Sequence, residues 1–89
     1  MARYFFHLAM GADDRDQEGV ELDSLDEARR IGVKFLAQTL LDHADAFWIS
    51  PEWRLDVADE GGLTLFSVHA FAQDAPVVAI TATIQPDPE

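Results

Sequence analysis

Three histidines, His7, His43 and His69, are the side chains whose ordinary titration falls near neutral pH, the usual candidates for metal ligation or proton transfer. They lie far apart along the chain and follow no metal-ligand spacing such as H-E-x-x-H. His7 alternates with Phe5 and His69 with Phe71, so on extended backbone His7 and His69 fall on one sheet face. A surface or interfacial histidine is the simpler reading of both, and no metal or cofactor is expected.

The stretch DRDQEG, residues 14–19, opens like a calcium loop, with carboxylates at relative positions 1, 3 and 5 and glycine at 6. Position 12 is Leu25, where that loop needs a bidentate glutamate, so a solvated acidic turn is expected instead. DHAD, residues 42–45, gathers two carboxylates and an imidazole near a helix end and reads as surface. Ser24 is explained by helix capping, and neither a G-x-S-x-G elbow nor a phosphate-cradling glycine loop occurs. With no nucleophile to name, a non-enzymatic role is expected.

The elements that would carry these residues follow from periodicity. Residues 2–9 alternate Tyr4, Phe6 and Leu8 against Arg3, Phe5, His7 and Ala9, a strand. Residues 11–19 are polar and bounded by glycines, a connection; VEL, residues 20–22, is a short returning strand. SLDE then forms a capping box, Ser24 accepting from the Glu27 amide and the Glu27 carboxylate reaching back to the Ser24 amide. Ala28, Ile31, Phe35, Leu36 and Leu40 make the apolar stripe of the helix that follows, and Pro51 forces its end between Asp42 and Phe47.

Trp53, Leu55 and Val57 alternate with Arg54, Asp56 and Ala58, DEGG turns the chain, and residues 63–71 alternate again, a hairpin. Trp48 and Trp53 are expected to close the core where helix gives way to strand, in preference to forming an exposed aromatic anchor for a partner. Residues 77–84, VVAITATI, are expected as a possible fifth strand and residues 85–89 as a loose tail. The expected fold is a single α+β domain over residues 1–89, β-β-α-β-β, with a mainly antiparallel sheet and one helix on one face.

Composition bounds the role. Seventeen acidic against six basic residues give a formal charge of −11, which repels nucleic-acid backbones and anionic lipid, so neither nucleic acid nor membrane is an expected partner. A basic protein is a possible one. Cysteine is absent and no stretch has the length of a membrane span, which reads as cytoplasmic.

One helix covers one sheet face, yet both faces of the strands carry large apolar residues. Burying an aromatic side chain fully is worth roughly 1.5–3 kcal/mol, a large share of a small domain's margin. Two covers are open: residues 77–84 folding back, or a second copy docking or exchanging that segment. A homodimer is the preferred expectation, with Phe5, His7, Leu65, His69, Phe71, Val78 and Ile80 at its interface.

RYFFHL at the start, D-x-E-G-V-E-L running into S-L-D-E-A (residues 16–28), and WRLDVADEGG from Trp53 together resemble a family of short uncharacterised alphaproteobacterial proteins, a domain of unknown function. The resemblance covers about residues 2–72 and implies a bacterial cytoplasmic origin and the strand, helix and hairpin order; it brings no activity. SLDEARRIG, residues 24–32, is also faintly similar to HicB-type antitoxin domains, which implies a second function, an inhibitor covering the nucleic-acid surface of a basic nuclease. A small-ligand or metal-binding role on the face of His7 and His69 is the third.

Overall fold

A computed structural model describes residues 2–78. Strand β1 (Ala2–Ala9) is followed by two short strands, β2 (Asp13–Asp14) and β3 (Val20–Leu22). Helix α1 (Leu25–Asp42), a single turn α2 (Ala44–Phe47), and strands β4 (Glu52–Ala58) and β5 (Thr64–Phe71) complete the order. The strands form one antiparallel sheet. β5 pairs β4, β4 pairs β1, and the other edge of β1 is shared between β2 at one end and β3 at the other. This is the expected α+β architecture, with the acidic connection resolved into two strand fragments.

Alternation decides what is dry. Tyr4, Phe6 and Leu8 of β1 and Trp53, Leu55 and Val57 of β4 form the buried core beneath α1, joined by Leu22, Ala28 and Leu36. Phe66, Val68 and Ala70 of β5 pack against its margin. Trp53 meets Phe47 edge to face at 5.2 Å, closing the end of the core where α2 turns into β4. Trp48 does not share that role and is exposed.

The helix start differs in one detail from the sequence reading. Ser24 Oγ accepts from the Glu27 amide at 3.1 Å, as expected, but the Glu27 carboxylate accepts from the amide of Asp23, at 2.9 Å, in place of that of Ser24. The extended backbone of Ser24 leaves the preceding N–H the one in reach. The buried stripe also shifts: Gly32 is buried and Phe35 is largely exposed. Hydrophobicity does not mark Gly32, yet a Cβ there would lie 3.4 Å from both Leu55 and Phe66, which places it on the face of α1 that lies against the sheet.

Residues 76–78 have helical backbone, so Val78 does not begin the fifth strand expected there; Pro76 stands at the first helical position, where its fixed φ and missing N–H suit a helix start. The rest of that expected strand, with Ile80, and the tail at 85–89 lie outside the described residues. No helix among the described residues is long and apolar enough to cross a membrane.

Replacing Ser24 with alanine removes the side-chain acceptor of the Glu27 amide at the start of α1. A loss of about 1 kcal/mol is expected from urea unfolding, with an unchanged m-value. An unchanged midpoint would contradict the cap.

Candidate functional site

The chemistry-bearing residues gather around a break in the sheet. Tyr4 pairs with Val20 and Leu8 with Asp14, so three residues of β1 face the five residues 15–19. The surplus must leave the ladder, which strands the N–H of Phe6 between two paired neighbours. Asp16 fills the gap. Its Oδ2 accepts from the Phe6 amide at 3.1 Å, and its Oδ1 accepts from the amides of Glu18 and Gly19, each at 3.1 Å. A side-chain carboxylate thus takes the place of a strand carbonyl.

Neighbours lock the arrangement. The Asp16 amide donates to Nδ1 of His7 at 3.0 Å, so that nitrogen carries a lone pair and the imidazole proton sits on Nε2. Arg3 Nη1 donates to the Glu18 carbonyl at 2.7 Å. Gly19 has φ +72°, and a Cβ there would meet Arg3 Cγ at 2.8 Å, Phe5 Cε2 at 2.9 Å and the Tyr4 carbonyl at 3.0 Å. Both the backbone conformation and the space require glycine. Burial by itself would push the Asp16 carboxyl up; the hydrogen bonds from Gly19, Phe6 and Glu18 outweigh it and hold the group below the ordinary carboxylate range.

The same register fixes the face of the sheet turned away from α1. Phe5 is half-buried there and stacks on His7, with centroids 6.4 Å apart. Opposite them on β4 stand Ala58 and Asp56, and on β5 Ser67 and His69 face Asp56 and Arg54. Ser67 Oγ donates to Asp56 Oδ1 at 2.5 Å, and Arg54 Nε donates to Oδ2 at 2.9 Å. Desolvation would raise the Asp56 carboxyl, but these two bonds and the charges of Arg54 and His69 lower it. Leu65 and Phe71 flank the polar patch and are exposed, 38% and 67%.

His7 and His69 therefore share a face without meeting, because β4 runs between them with Asp56 and Arg54. His43 lies away from both, at the junction of α1 and α2. Asp14, Asp16 and Glu18 do not form a calcium cage, since both oxygens of Asp16 point into the backbone. Among the described residues no group of three or more His, Cys, Asp or Glu converges as a metal site. Asp56 and Ser67 escaped the sequence reading as site residues; their alternation with Leu55 and Val68 placed them on this face, but only the register brings them together.

A family model described as a domain of unknown function, DUF6894, matches residues 3–72. The chain belongs to this family. The DUF6894 match runs from the start of β1 to just past the end of β5 and so contains the whole sheet, the helix and the Asp16 junction. No curated protein and no solved structure shows significant similarity to the chain.

Removing the Asp16 carboxylate leaves three amides without their acceptor. Asp16→Ala is expected to cost about 1–3 kcal/mol in denaturant unfolding. A lowered folded pKa means that the unfolded chain takes up the proton first, so this stabilisation is complete above the unfolded value, roughly 4, and drains away as pH falls through the folded value. Wild-type stability should therefore fall more steeply on acidification below about pH 4 than that of Asp16→Ala. Parallel pH profiles would contradict the role given to Asp16.

Proposed function

We propose that this DUF6894 protein is a non-enzymatic, acidic protein-interaction domain that works as a homodimer, with the two sheets packed through the faces turned away from α1. The observation that carries the reading is the small net charge of that face. Arg3 and Arg54 stand there against Glu52 and Asp56 on the long strands and against Glu21 and Asp13 on the short ones, a net of −2, while the chain as a whole carries −11. Two copies repel each other elsewhere; here they meet across a face of small net charge.

The chemistry of the patch agrees. Phe5, Leu65 and Phe71 supply apolar area, and leaving it wet forgoes about 1.5–3 kcal/mol for each residue that a partner would bury completely. Asp56 already holds Ser67 and Arg54, so enclosing the polar centre leaves its carboxylate with partners. A second copy is preferred to other partners because a two-fold axis matches this self-complementary surface to itself.

Sedimentation equilibrium tests the reading. Wild type is expected at twice its 9.9 kDa chain mass, and Phe71→Asp, which changes an exposed side chain and spares the core, is expected at the chain mass with an unchanged circular dichroism spectrum. Wild type at the chain mass, or a Phe71→Asp variant of unchanged mass, would overturn it.

A further inference from the structure

On the other side of the sheet the five-residue excursion has a second consequence. It stands away from β1 and leaves a groove of about 600 Å³ between itself and α1. The floor is Phe6 and Leu8, one wall is Ile31 and Phe35, and the other is Val20 with residues 14–18. Val20 and Phe35 are 44% and 40% exposed, and Phe35 stands edge-on to Phe6 at 6.5 Å. The apolar stripe of α1 thus continues past the core into open space.

The rim of this apolar groove is acidic. Asp14, Asp16 and Glu18 line it against Arg15 alone, a net of −2, and with the Asp16 oxygens held by backbone amides it is Asp14 and Glu18 that stand ready to meet a cation. The charges of α1 cancel, with Asp26, Glu27 and Asp42 against Arg29, Arg30 and Lys34. Such a surface repels a second copy of this chain, nucleic acid and anionic lipid. It suits a segment that presents apolar side chains to the floor and cations to the rim.

We propose that this groove is a docking site for a basic amphipathic segment of another protein, its leucine-like side chains seated on the exposed Phe35 and Val20 above Phe6 and Leu8, and its lysines or arginines against the acidic residues of the excursion. Apolar contact supplies the holding energy, and the charge pattern selects the partner and speeds its arrival. The groove lies across the sheet from the face assigned to self-association, so the two proposals stand or fall separately.

The test uses the full chain and a labelled synthetic peptide with leucines at i and i+4 spacing and lysines elsewhere, followed by fluorescence anisotropy. A second peptide replaces every leucine with serine and keeps the charge. The first is expected to bind wild type, and the second at least about tenfold more weakly, the equivalent of one unit in log Kd. Phe35→Ser and the double variant Asp14→Lys/Glu18→Lys are each expected to weaken the first peptide by a similar factor, while Leu41→Asp, exposed elsewhere on α1, leaves it unchanged. The charge-reversed pair alters only exposed side chains and so keeps the test independent of any folding defect in Phe35→Ser. Failure of the first peptide to bind, equal binding of the two peptides, or unchanged affinity in the charge-reversed variant would overturn the proposal.

Discussion

A buried ladder that pairs three residues with five has to satisfy the amide left in the middle, and here the Asp16 carboxylate does so. An unpaired backbone N–H in a sheet of this size costs as much as a good fraction of the domain's stability. A plain strand would close the gap by removing two residues, but it would also remove the excursion. Because the acceptor is a side chain, the backbone is free to leave the sheet at Arg15 and return at Gly19 while the Phe6 amide keeps an acceptor. The positive φ of Gly19 and the close approach of Arg3, Phe5 and Tyr4 to it are the geometric terms of that return.

Both surfaces with a claim to function descend from this junction. On one side, the Asp16 amide holds His7, on which Phe5 stacks, beside the network of Asp56, Ser67 and Arg54. On the other, the displaced residues build the acidic wall of a groove whose floor is the core's own Phe6 and Leu8. A single carboxylate therefore sits between a face of small net charge, proposed for self-association, and an acidic rim, proposed to meet a cationic partner. The separation is economical for a short chain, since each face of one sheet is left to a different kind of contact.

Much of this was legible in the residues. Alternation in β1, β4 and β5 gave the strands and their inward faces, and Ser24 with the acidic first turn gave the start of α1, because both signals are local. What escaped depends on residues distant in the chain. Gly32 shows no hydrophobic signal, and its worth lies in Leu55 and Phe66 standing against the helix there. Phe35 fits the helical stripe but overhangs the groove, edge-on to Phe6. Asp16 resembled a calcium ligand by spacing; only the mismatch in register shows that its oxygens are spent on backbone amides. VVAITATI had strand composition, yet its first residues are helical behind Pro76, where local chain geometry outweighs β-propensity.

The central claim is that the Asp16 carboxylate serves as a rung of the β1 ladder. The most direct measurement is an NMR titration of the backbone amides of Phe6, Glu18 and Gly19 on the folded chain. The account predicts that all three resonances move together with one midpoint, below the ordinary aspartate value of about 3.9, and that the Phe6 amide exchanges slowly with solvent until that midpoint is passed. Three amides that ignore the titration, or a midpoint at or above the ordinary value, would contradict it.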